Sequence, residues 1–412
     1  MKVNYIQSII PILLGFLIIF SLSACQKMLP AGPKDENILE GAIPGLTSIE
    51  EEHHSIGDEA FSKIFTADEG LGPVFVQTSC SNCHAGSGKG HPSNMVTRFA
   101  KVNGSEVDYL LDKGGPQLQN HSIANYPAET LPSEANAFTK RLAPAVLGLG
   151  YVAALDDQSI LANADPDDAD GDGISGRPNY VDSKTFFVPG NLHIPANGQY
   201  IGRFGKKATQ VTLLDMVVFA LKEDMGITSE FDTADVFNWT VGKNTGDNVP
   251  DPEVSTDFVN DIAFYVETLK APERRNADDP DVLDGEKLFT QIGCTGCHKP
   301  TFITAQSDIA ALSYQTFHPY SDFLLHDMGP ALDDKYPDGS ANSNEWRAPP
   351  LWGIGLAKNS QGGQMYLLHD GRASTFEDAV ANHGGEAEGR RAAFFSLLPH
   401  SREQIIKFLE SL

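Results

Sequence analysis

Two five-residue words, CSNCH at Cys80–His84 and CTGCH at Cys294–His298, hold four of the chain's five cysteines. A Cys-x-x-Cys spacing on the first turn of a helix puts both sulfurs on one side. A histidine directly after the second cysteine can then reach inward between them. This pattern suits covalent c-type haem, with thioether links from Cys80 and Cys83, or from Cys294 and Cys297, and an axial imidazole from His84 or His298. A zinc site built from both pairs would place them tens of residues apart rather than about two hundred. A dithiol redox site needs one pair in a βαβ setting, not two pairs each followed by histidine.

Each word needs a helix before it and a helix to close the pocket. GDEAFSKIF precedes the first and DGEKLFTQIG the second, each an acidic start followed by apolar residues at helical spacing. DIAFYVETLKAP and the C-terminal EQIIKFLESL read as matching amphipathic helices. The expectation is therefore a mainly α chain of two cytochrome-c-like haem domains with long irregular loops. These would span 46–272 and 273–412 and meet near APERRNADDPD. A second pair of segments, GRFGKKATQVTLLDMVVFALKEDMG and HDGRASTFEDAVANHGG, shares a basic loop, a threonine, an acidic residue and an apolar run. Ser374 and Glu377 read as a capping box for a helix over about 375–383, which leaves His383 at its C-terminal edge, within reach of an iron.

With 412 residues, 41% hydrophobic and 21% charged, the chain can bury sizeable cores, while 38 Gly and 25 Pro call for turn-rich connections. A net charge of −25 leaves no basic patch for nucleic acid; it serves either solubility or the steering of a small, positively charged electron carrier. The fifth cysteine, Cys25, follows an apolar run from Ile9 to Phe20 that is too short for a spanning helix. LSAC resembles the bacterial lipoprotein cleavage box. Residues 1–24 thus read as a signal peptide, Cys25 as the lipidated residue and 25–45 as a tether, with the protein on a membrane facing the periplasm or cell surface. Asp168, Asp170 and Asp172 with Gly173 resemble the first half of a calcium loop, although Asn179 stands where a closing glutamate would be.

DPDDADGDGISGRPN, GRFGKKA, DMGITS, LLHDMGPAL, RAPPLWGIG and LLHDGRASTFEDAVANHGGEA, together with both CxxCH words, resemble the di-haem oxidoreductases often labelled thiol oxidoreductases. These are distant relatives of bacterial di-haem cytochrome c peroxidases. The resemblance implies two c-type haems, electron transfer between them, and a donor that is a small redox protein or quinol-linked. It implies that His383, where the peroxidases usually carry methionine, is the distal ligand of the electron-accepting haem, with Met328 as a rival. It also makes Asp224 of LKEDMG, where the peroxidases carry a glutamate one methylene longer, the candidate acid/base over the first haem, the alternative being a hydrogen-bond partner at a helix end. Met225, His91 and His121 are rival ligands there. Arg203 and Arg372 are candidate partners for haem propionates, and Trp352 is either core or an electron relay. With Cys25 lipidated, no cysteine is spare for thiol exchange. Peroxide reduction and a pure electron relay stand as alternative functions.

Overall fold

The computed structural model describes residues 38–236, 238–241 and 249–412. The segment expected to be a signal peptide, Cys25 and most of the expected tether lie outside the described residues. Leu39–Leu412 forms one compact unit. Among the described residues, no helix is long and apolar enough to cross a membrane.

The main helices are α1 (Ser48–Ser62), α2 (Leu213–Met225), α3 (Thr256–Thr268), α4 (Pro280–Gln291), α5 (Phe376–Ala381), α6 (Glu388–Ser396) and α7 (Pro399–Ser411). Helix α1 starts at a capping box in which Glu50 N donates to Thr47 Oγ1 and the Glu50 carboxylate accepts from Thr47 N. Helix α4 starts with Pro280, whose missing N–H costs nothing at that position, behind Asp279 as cap.

The expected helix pairs form: α1 packs on α3 and α4 on α7. Each crossing is closed by a glycine. A Cβ on Gly57 would stand 2.2 Å from Asp261 O, and one on Gly285 2.0 Å from Gln404 O. Four residues past each glycine, Phe61 and Phe289 meet Tyr265 and Phe408, both at 5.2 Å between ring centroids. Gly285→Ala is expected to destabilise the fold by about 1–3 kcal/mol through overpacking. Gly389→Ala on α6, where no atom lies within 4 Å of the new methyl, should instead stabilise it by about 0.4–1 kcal/mol. Urea unfolding of both variants checks the pair.

The expectation of a mainly α fold is corrected. Among the described residues, helix makes up 34% and strand 13%, with the strands in five small antiparallel sheets. The largest pairs Val96–Asn103 with Ala137–Arg141 and Glu106–Asp108, and Ala137–Arg141 alternates buried and exposed residues. A two-stranded ribbon pairs Leu325–Asp327 with Glu345–Arg347. Long loops must still satisfy their backbone N–H and C=O groups, and hairpins of two or three residues do so. Such strands are too short for an alternating pattern to stand out in sequence.

The repeat extends further than the helices. APAVLGLG (143–150) and APPLWGIG (348–355) make the same turn, with φ +67° at Gly148 and +70° at Gly353. Gly148 N donates to Leu269 O and Gly353 N to Leu412 O, each at the end of a closing helix. The halves also cross over: Leu142 N donates to His369 O (2.8 Å) and Arg347 N to Lys206 O (3.1 Å). The boundary foreseen at 271–281 falls between α3 and α4, but loops from each half are stitched into the other.

Candidate functional site

Cys80–Cys83 is one helical turn, and His84 N donates to Cys80 O at 2.9 Å; at the second word His298 N donates to Cys294 O at 3.0 Å. The histidines are placed alike. Phe61 lies 6.0 Å from His84 at 52°, and Phe289 lies 5.9 Å from His298 at 50°. All four cysteines are free. Burial first, then the field of Asp224, pushes the thiols of Cys80 and Cys83 up to about 12; burial does the same to Cys294. These are neutral sulfurs in apolar surroundings. Unlinked to one another, each pair is free to form carbon-bound thioethers.

The second word opens on a cavity of about 300 Å³. Its walls include Phe289, Phe376, Phe394, Leu367, Val380 and Leu409, and Cys294, Cys297, His298 and His383 reach it. His298 Nδ1 donates to Tyr320 O and His383 Nδ1 to Ala379 O, both at 2.8 Å. With Nδ1 protonated and held by a carbonyl, each ring keeps a free Nε2 lone pair, the tautomer an iron ligand needs. Burial lowers the pKa of both, His298 to about 4, and His383 is near enough across the cavity to oppose a charge on His298. An apolar cavity with two free sulfurs on one wall and two neutral imidazoles is a donor set that fits a c-type haem.

His383 therefore sits where sequence reasoning placed it, but the helix before it differs. Thr375, not Ser374, is the cap and accepts from Asp378 N (3.0 Å); α5 ends at Ala381. Met328 also lines the cavity.

Around the first word the structure brings together Asp224 and both thiols. Asp224 lies in the last turn of α2, and its backbone carbonyl accepts from Val76 N (2.7 Å) and Gln77 N (2.9 Å), which hold it against the strand leading to Cys80. Gln117 Nε2 donates to Asp224 Oδ1 at 2.6 Å. Burial raises the Asp224 carboxyl to about 6, against the pull of Gln117 and Arg98. Sequence reasoning missed two further carboxyls beside it. Burial lifts Glu223 to about 7 and Glu129 to about 8; Gln119 joins them, donating its backbone N to Glu129 and its Nε2 to Glu223. Only the return of distant loops to α2 reveals this chain of groups. Among the rival ligands, Met225 is buried in the core, His91 is held by Ser93 and meets Tyr366 edge-on, and His121 stacks on Phe75.

Arg203 and Arg372, the candidate propionate partners, do not line this cavity. Arg203 is buried with Nη1 on the carbonyls of Val152, Ala153 and Leu155 and Nη2 on Asp157 Oδ1 (2.7 Å). It staples backbone. Arg372 is bound to Asp370 at 2.6 Å. The lysines and arginines at the cavity wall are Lys89, Lys206 and Arg347, with Arg390 and Arg391. Single basic residues in loops gave no signal of this convergence.

His326, also missed, lies 3.5 Å from Cys297 Sγ and is held between Asp322 (2.9 Å) and Glu386 (2.8 Å). The two carboxylates keep it charged despite burial. In the acidic loop, Asp165, Asp168 and Asp170 place ligand atoms within 4.8 Å of one another. Asp172 turns away to Arg390 (3.2 Å), and Asn179 is buried under Ser340 and Lys207. The acidic cluster thus begins three residues earlier than the sequence suggested. Trp352 lines the cavity and donates to Leu147 O (2.9 Å), tying the two halves together.

No curated protein matches the chain. A structure of Kuenenia stuttgartiensis hydrazine synthase pressurised with 20 bar xenon aligns over 93% of this chain and 98% of its own, at 12% identity and a TM-score of 0.37, a likeness that carries no functional argument. The family model described as "Di-haem oxidoreductase, putative peroxidase" matches residues 128–412, which takes in the second CxxCH word and leaves the first outside. With more than half of the chain matched, and with the donor set above, the chain belongs to the di-haem oxidoreductase family and works by haem-based redox chemistry.

Proposed function

We propose that the protein is a lipid-anchored, di-haem c-type oxidoreductase in which the second haem receives electrons and the first meets the substrate, with hydrogen peroxide the substrate class to test first. The observation that carries the reading is the inequality of the two stations. His298 and His383 offer two free Nε2 atoms to one cavity, whereas the first station pairs its thiols with a carboxyl. The repeat sharpens this. Thr212 and Thr375 cap equivalent helices, each accepting from an aspartate N–H three residues on. Eight residues past Thr375 stands His383, and eight past Thr212 stands Ala220, which offers no ligand atom.

Haem supplies one-electron transfer and, where a coordination position is open, peroxide reduction: two electrons and two protons convert hydrogen peroxide to two waters. The chain's own groups handle the protons. Asp224 accepts one from the near peroxide oxygen and returns it to the leaving oxygen; Gln117 orients the carboxyl; Glu223 and Glu129 hold further protons behind it. His298 and His383 are held in one tautomer by backbone carbonyls. Electrons come from a small basic redox protein or a quinol-linked donor, favoured by the net charge of −25. Calcium at Asp165, Asp168 and Asp170 would brace the loop whose Ile174 packs against Gly296 of the second word.

Native mass spectrometry of protein matured with haem-attachment machinery should read two haem masses, a lipid mass and one calcium. Cys294→Ala/Cys297→Ala should lose one covalent haem. A chain without added haem sinks the reading. Two haems without calcium or lipid would remove only those parts.

A further inference from the structure

Lys89 and Lys206 from two loops and Arg347 from the end of the Glu345–Arg347 strand come to one cavity wall. Arg347 N bonds Lys206 O, which holds two of them side by side. Both lysines are surrounded by protein and keep only intermediate accessibility, at the cavity surface. Arg347 is buried, and its Nε donates to Gly205 O. Among the described residues, no carboxylate comes within 4.0 Å of any of the three. The acids whose fields reach them are engaged elsewhere, Asp370 by Arg372 (2.6 Å) and Asp322 by His326 (2.9 Å).

Like charges gathered away from water are costly unless an anion joins them. Burial pushes Lys89 down to about 8, and burial together with repulsion from Lys89 and Arg347 pushes Lys206 well below the ordinary lysine range. The missing anion must enter from the cavity, and the cavity is the one reached by Cys294, His298 and His383. We infer that Lys89, Lys206 and Arg347 form the seat for the two propionate carboxylates of the second haem. This rests on the proposed haem at Cys294–His298 and assigns a role that Arg203 and Arg372 do not fill. An ammonium pair and a guanidinium fork together match two carboxylates. Lys206 also acts electrostatically on His84, so the seat lies between the two haem stations.

The test uses the haem-loaded protein, its haem content verified by pyridine haemochrome, with Lys206→Gln, Arg347→Gln, Lys206→Arg and the exposed control Lys335→Gln. Spectroelectrochemical titration and the propionate bending band in resonance Raman are the readouts. Losing a cation beside the haem should shift one midpoint potential downward and move the band in the two glutamine variants. Lys206→Arg should restore both, and Lys335→Gln should change neither. Potentials and bands unchanged in glutamine variants that carry both haems overturn the seat and leave the haem reading standing. A saturable spectral response of the native protein to acetate, lost in Lys206→Gln without a band shift, would assign the site to a free carboxylate and also overturn it. Protein without haem overturns both.

Discussion

Asp224→Asn is expected to lower peroxide turnover by about 10²-fold, because the amide keeps the shape and the Gln117 contact but cannot accept a proton. Burial raises this carboxyl from the ordinary 3.8 to about 6. The first step needs the ionised form, so kcat/KM in the native protein should fall about tenfold per pH unit below 6 and level off above it. Asp224→Asn should abolish that limb, and Glu129→Gln should leave it near 6. A stopped-flow pH series reads all three, and a limb that survives in Asp224→Asn rejects the assignment. The raised pKa also has a stability consequence. Folding favours the protonated carboxyl, so its stabilisation is whole below pH 4 and is lost as pH climbs through 6.

His383→Ala should convert the second haem from low to high spin while its covalent attachment persists, since Cys294, Cys297 and His298 are untouched. The native protein is expected to show one low-spin and one high-spin ferric centre, and the variant two high-spin centres. His383→Met should return one low-spin centre at a raised potential, because a methionine sulfur favours the reduced iron relative to a second imidazole. Absorption and electron paramagnetic resonance spectra check the series. A spectrum unchanged in His383→Ala excludes this residue as ligand and shifts attention to Met328 on the same wall.

Much of the site was legible because its pieces are local. A CxxCH word carries the sulfurs and the proximal histidine within one turn, so Cys80–His84 and Cys294–His298 needed no tertiary information. The helix pairs were legible through their 3.6-residue period. Gly57 with Tyr265 and Gly285 with Phe408 then show what the repeat was for: glycines that let two helices touch backbone to side chain. Most of the strands were hidden because pairs of two or three residues have no period to detect, and the longest, Val96–Asn103, buries Arg98, Phe99 and Ala100 in a row rather than alternating; the mainly α expectation failed there.

By composition and spacing alone, the chain determined that two CxxCH stations exist, that each has a helix before it and one to close it, and that His383 stands at a helix edge. These are covalent and short-range properties, encoded within a few residues. Tertiary structure decided which distant groups share a cavity. It sent Arg203 to staple backbone, brought Lys89, Lys206 and Arg347 to one wall, and set Asp224 against the thiols of the first word. The physical reason is that a buried charge or carboxyl takes its character from its neighbours' desolvation and fields, and those neighbours arrive only when loops a hundred residues apart are folded together.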